Sequence, residues 1–277
     1  MPNSSDQTSE KQDGAQVSER HKQFLPKVTF DLATLELETK LLHDFSDPDD
    51  RFSKMMSRMY PDLMTEVQKS RNDEEALAVC REFAQKVTAE EQPVLLAAKE
   101  AVAQDWTMVS DEFLRLLSEH METPWPTQKN ITGHISIMPI CPRFLDTYSF
   151  TVNYRRAPAE SRETIAQEIV HFLWFKKWKE VFPEYERGFY VVPQLVWRLS
   201  EIMDPIILQC HPRIKGLIQP KEWGYTSFKE LKIGDVGMTE HFVHMYKECM
   251  QAGKSFGELL RMTWAEAEKH REVLEKF

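Results

Sequence analysis

The sequence predicts a mostly helical α+β protein, with a small antiparallel sheet packed on one long buried helix, and three observations carry that expectation. Through most of the chain apolar residues recur at three- and four-residue intervals, as in helices with one buried face. Two runs, 131–137 and 148–154, are instead rich in β-branched and aromatic residues and alternate in part, which suits strands. Finally, residues 164–178, TIAQEIVHFLWFKKW, read as a helix that is apolar as far as Phe175 except for Gln167, Glu168 and His171. A buried helix tolerates such side chains only where partners satisfy them.

Taken in order, residues 1–24 are polar, charged and rich in Ser, Gln, Glu and Lys. They bury too little apolar surface to offset ordering entropy and are expected to be a disordered tail. Residues 25–277 are expected to form a single domain, with a helical layer over 25–123 and a core over 124–277. Residues 30–45 mix alternation with helical spacing and leave their type open. Asp47-Pro48-Asp49-Asp50 offers a cap and a proline ahead of a helix over 51–69. Stripes through Leu77, Cys80 and Phe83, and later Phe113, Leu116 and Leu117, predict two or three helices across 73–122. Pro124 and Pro126 mark the change to strands. Pro158, followed by Glu160 and Glu163, opens the central helix, where proline and acidic residues suit the first turn. A second apolar helix is expected over 192–208, kinked or ended by Pro205. Helices return over 240–250 and 256–276.

A net charge of −9 gives no broad attraction to phosphate backbones or anionic lipid, so neither nucleic acid nor a membrane surface is an expected partner. The chain has no apolar run of about 18 residues and no apolar segment near its start of the kind a secretory leader carries. Cys80, Cys141, Cys210 and Cys249 form no C-x-x-C pair, which suits reduced thiols and a cytoplasmic protein.

The polar intruders suggest chemistry. At 100° per residue, Gln167 and His171 lie about 40° apart and Glu168 about 60° from His171, so the three share a face. Their spacing is that of the zinc-protease motif H-E-x-x-H, with glutamine written for the first histidine. A hydrolytic zinc site needs three protein ligands, an open position for water and a base beside that water. His171 offers one ligand, Glu168 the base, and Glu201 on the next helix another ligand. Asp204, three residues further on, is placed to accept from the His171 ring and orient it. His134, on the strand before the helix, is a candidate for the same centre.

The order of a small sheet, a T-x-x-x-E-x-x-H helix (Thr164, Glu168, His171) and a helix carrying Ser200-Glu201 resembles the gluzincin division of the zincin metallopeptidases over residues 130–208. The runs ITGHISIMPICPRF, YSFTVNYR and HFLWFKKWK are also similar to bacterial gluzincin-like proteins. The resemblance implies a zincin-like core with Glu168 as general base and zinc held by His171 and Glu201. Gln167 would stand where the family has its first histidine, and a peptide or protein substrate would lie along the sheet edge. A glutamine carbonyl is a weaker, neutral donor. Two functions therefore stay open: hydrolysis of peptide bonds by zinc-activated water, and a non-catalytic peptide-binding or scaffold protein on the same fold.

Blander assignments compete. Gln167, Glu168 and His171 could form a buried hydrogen-bond network with Arg198 or tyrosines. His241, His244 and Glu248 share a helix face, but that face is amphipathic and reads as solvated. Gly253-Lys254-Ser255-Phe256-Gly257 matches G-x-S-x-G, yet a helix precedes it where a nucleophile elbow needs a strand, so it reads as a helix-to-helix turn. Trp174, Trp178 and Trp197 could stack bases, although helical spacing and the acidic charge favour core packing.

Overall fold

Alternation followed by helical spacing in residues 30–45 turns out to be a strand–helix junction. In the computed structural model, which describes residues 24–47, 52–225, 228 and 230–276, strand β1 (Val28–Leu32) gives way to α1 (Leu35–Asp44). Thr34 caps that helix by accepting from the Leu37 amide at 3.2 Å. The expected disordered tail, apart from its last residue, and the cap at residues 48–50 lie outside the described residues. The helix expected over 51–69 is two, α2 (Ser53–Met59) and α3 (Pro61–Lys69), because Pro61 has no amide to continue the ladder and instead begins a new helix. α4 (Asp73–Glu90), α5 (Gln92–Thr107) and α6 (Ser110–Met121) complete the helical layer.

β2 (Ile131–Ser136), β3 (Arg143–Phe144) and β4 (Ser149–Asn153) join β1 in a sheet of order β1-β2-β4-β3. The pairs β1–β2 and β2–β4 are parallel, and β3–β4 is antiparallel. The main sheet is therefore mixed, which corrects the antiparallel one expected. Helices α1 to α6 form the crossover between β1 and β2, and a parallel pair requires a long connection of this kind. Antiparallel pairing also joins β5 (Lys232–Ile233) to β6 (Val236–Gly237), which turn at Gly234 with φ of +63°.

Two helices meet behind the sheet. α7 (Pro158–Val181) is the central helix, and α8 (Leu195–Cys210) is buried along almost its whole length. Phe30, Gly133 and Phe150 are in register across the parallel strands and share one face, where a Cβ on Gly133 would come within 2.6 Å of the Phe30 ring. That face packs on α7: Phe150 and Phe172 have ring centroids 6.5 Å apart. Arg143 is paired with Phe150 and so projects toward α7, whereas His134, one residue along from Gly133, projects from the opposite face.

Pro205 neither ends α8 nor stands at its edge; the helix runs through it. Lacking an amide, Pro205 leaves the Glu201 carbonyl without its helical donor. Gly224, at φ +78°, packs there, and a Cβ on it would lie 3.3 Å from Pro205 Cγ and 3.5 Å from the Glu201 oxygen. α9 (Pro212–Ile218), α10 (Met238–Gln251), α11 (Phe256–Lys269) and α12 (Arg271–Leu274) follow, so the helix expected over 256–276 breaks at His270. The G-x-S-x-G run is a helix-to-helix turn, with Gly253 at φ +66° and Ser255 capping α11 reciprocally with Glu258. Trp174 and Trp178 stack at 5.0 Å inside the core, and one cluster of buried apolar residues runs from Phe30 to Leu274. Among the described residues no helix is long and apolar enough to cross a membrane.

Glu38 of α1 ties the helical layer to the chain leaving β2. Ser136 Oγ donates to it at 2.8 Å and the Ile137 amide at 2.9 Å, while Tyr60 donates its hydroxyl to the Ile137 carbonyl at 2.6 Å. Burial pushes the Glu38 carboxyl up to about 7, against the two hydrogen bonds that favour its anion. A folded-state value above the ordinary 4.5 means that the folded chain binds the extra proton, so stability falls as pH rises from about 4.5 through about 7. Between pH 5 and 8 the wild type should lose roughly 2–3 kcal/mol more than Glu38→Gln in urea unfolding. Equal slopes would show that Glu38 is not held protonated.

Candidate functional site

Where α7 and α8 meet, the few polar side chains face one another. His171 of α7 and Glu201 and Asp204 of α8 are buried and bring one ligand atom each to within 4.8 Å of the others. His171 Nε2 lies 3.6 Å from Glu201 Oε1 and 3.2 Å from Asp204 Oδ2. Glu201 and Asp204 are three residues apart, hence on one face of α8. Glu168, three residues before His171, joins them beside a cleft of about 760 Å³ that Gln167 also lines.

Sequence reasoning missed Arg143. From the edge strand β3 its Nη2 donates to Glu201 Oε1 at 2.8 Å and its Nη1 lies 3.6 Å from Glu168 Oε2. The guanidinium rests over the Phe175 ring, 5.6 Å from its centroid. The available signal was a lone cation in the apolar run Ile140-Cys141-Pro142-Arg143-Phe144, but its direction depends on the β3–β4 register. Arg198, the partner expected for this network, points elsewhere and donates to the carbonyls of Pro193 at 2.9 Å and Leu274 at 3.0 Å.

The other expected residues divide. Gln167 lines the cleft together with Glu168, Glu201 and Asp204. Asp204 faces Nε2 of His171, whereas an acceptor that orients a zinc-binding ring would sit at the opposite nitrogen; Nδ1 is buried without a hydrogen-bond partner among the described residues. Asp204 therefore stands beside Glu201 as a donor. His134 lies on the far face of the sheet, away from the cluster. His241 and His244 diverge: His241 Nε2 meets Glu266 Oε1 at 3.0 Å, and His244 pairs with Glu248 at 3.1 Å on the exposed side of α10.

Burial dominates the electrostatics. It pushes Glu168 up to about 8, opposed mainly by Arg143 and reinforced by Glu201. It also holds Asp204 well above the usual carboxyl range, helped by the charges of Glu201 and Glu168. His171 is held well below the usual histidine value by burial and by Arg143. At neutral pH the imidazole is thus uncharged, with its Nε2 turned toward two carboxyl groups.

Such a donor set can be tested against zinc. Zinc bonds of about 2.0–2.2 Å give tetrahedral edges of about 3.4 Å, and the separations of 3.2 and 3.6 Å from His171 Nε2 bracket that value. One imidazole and two carboxylates fit the ion, and their neighbour opposes it. An ion on Glu201 Oε1 would lie within about 5 Å of the Arg143 guanidinium, where the repulsion is on the order of 7 kcal/mol at an effective dielectric of about 20. In the arrangement observed, the cation serving Glu201 is Arg143.

No protein-family model matches the chain, and comparisons with curated proteins and with solved structures find no significant match.

Arg143→Met would strand the buried Glu201 carboxylate and should cost about 3–5 kcal/mol in urea unfolding. Combining it with Glu201→Gln should cost much less than the sum of the single changes. Strictly additive losses would show that the pair contributes no coupling.

Proposed function

We propose that the chain is a zincin-like, gluzincin-type metallopeptidase homologue that hydrolyses peptide bonds with a zinc ion held by His171, Glu201 and Asp204. The observation that supports this is the convergence of three buried donors beside a cleft that also holds Glu168. When bound, zinc supplies a Lewis acid for the scissile carbonyl and lowers the pKa of its water. His171 presents an uncharged ring nitrogen for that ion. Burial favours the protonated form of Glu168, and a neighbouring ion would favour the ionised one, in which Glu168 is the general base that takes the water's proton and returns it to the departing amine. Gln167, in the cleft wall, offers an amide that can both donate to and accept from a peptide backbone. The edge strand β3 lines the cleft and suits an extended peptide or protein substrate. The four free thiols suit the cytoplasm.

Arg143 sets the terms of metal binding in this proposal. Its guanidinium must leave Glu201 when the ion enters, and it then becomes free to donate to substrate. The pairing seen here favours a second function, a non-catalytic peptide-binding or scaffold protein in which Arg143 has taken the ion's place for good.

Zinc titration followed by calorimetry separates the two. The metallopeptidase binds one zinc per chain, and Arg143→Met binds it about ten-fold more tightly or better. Glu168→Gln keeps the ion while losing about 100-fold or more in peptide hydrolysis. Failure of both the wild type and Arg143→Met to take up zinc would leave the binding protein and rule out the metallopeptidase.

A further inference from the structure

Beside the cleft lies a second hollow of about 370 Å³. Two stacked ring pairs wall it: Tyr148 on Phe172, with centroids 5.0 Å and planes 19° apart, and Phe175 on Tyr190, at 4.7 Å and 24°. Leu145, Arg187 and Tyr190 border both cavities, so the hollow is a side branch of the cleft. Phe175 links it to the buried donors, since its ring stacks on His171 at 6.0 Å and carries the Arg143 guanidinium at 5.6 Å. An extended peptide advances about 3.3–3.6 Å per residue. The 6.0 Å between the His171 and Phe175 rings corresponds to about two such residues, which sets the scale between the buried donors and the wall of this branch.

Two further observations describe what it would take. The loop bordering the cleft exposes apolar side chains, with Phe189 at 42%, Val191 at 54% and Val192 at 53% of full exposure, and Val191 and Val192 line the cleft itself. An apolar lip leading to an aromatic slot suits a hydrophobic ring better than a sugar or a nucleotide. At the rim, Lys176 pairs with Glu180 at 2.6 Å, Arg187 pairs with Asp146, and Lys179 donates to the Pro183 carbonyl at 2.5 Å. These three cations face two carboxylates, which leaves the mouth positive in a chain whose net charge is −9.

We infer that this branch is the specificity pocket of the cleft, selecting peptides with an aromatic side chain next to an acidic residue. The inference rests on the peptide-directed function proposed above. The ring enters between the two stacked pairs, and the neighbouring carboxylate meets Lys179 and Lys176.

The test is calorimetry on the full chain with acetyl-Gly-Phe-Asp-Gly-amide, in chelator so that no hydrolysis intrudes. It should bind about ten-fold or more tightly than the Ala-for-Phe peptide. Leu145→Trp, which fills the branch from a half-buried position, should erase that preference. Lys179→Glu, on the exposed rim, should weaken the Asp peptide about three-fold or more and leave an Asn counterpart unchanged. Equal affinity for the Phe and Ala peptides, a preference that survives Leu145→Trp, or no saturable binding would overturn the pocket. Zinc uptake is read separately, so loss of the metal proposal and loss of the pocket give different results.

Discussion

The ion pair between Arg143 and Glu201 is the interaction on which the centre of this protein depends. Glu168, His171, Glu201 and Asp204 are buried between helices that are otherwise apolar, and a buried carboxylate without a counter-charge is costly. A two-residue strand supplies that charge. Register with β4 aims Arg143 at α7, and the Phe175 ring beneath it holds the guanidinium on Glu201. α8 adapts as well: Pro205 interrupts its ladder one turn beyond Glu201, and Gly224, without a side chain, closes over the exposed carbonyl.

This arrangement links folding to the proposed chemistry through a competition for one site. Arg143 and a divalent ion would both neutralise Glu201, and they repel each other at the distances involved. Burial adds a second constraint, because Glu168 and Asp204 hold protons more tightly than ordinary carboxyls, and a bound ion would have to displace protons as well as the guanidinium. In the metal-free protein the same features give a stable, self-neutralised wall to the cleft. Stability without the ion and readiness to bind it are therefore opposed in this cluster.

Much of this was legible in the sequence, and for a physical reason. Helices announce themselves by periodicity, and Glu168, His171, Glu201 and Asp204 stood out as ionisable residues inside apolar runs, where each needs a partner. What stayed hidden depends on residues far apart in the chain. The parallel pairing of β1 with β2 follows from a crossover of six helices that local alternation does not encode. Arg143 acquires its role from a carboxylate 58 positions away, and His134 loses its expected role to strand parity, since its neighbour Gly133 faces α7. Pro205 is expected to kink or end its helix, because proline removes a ladder donor, and of the two outcomes the end does not occur. In α8 burial on all sides and a glycine packed against the gap keep the helix intact.

The most direct measurement is a crystal structure of the wild-type protein soaked in zinc, with anomalous scattering recorded at the zinc edge. A single anomalous peak among His171 Nε2, Glu201 and Asp204, with the Arg143 guanidinium moved off Glu201, is the expected result. Arg143 still paired with Glu201 and no peak in the cluster, at zinc concentrations that fill other sites, would contradict a shared cation site.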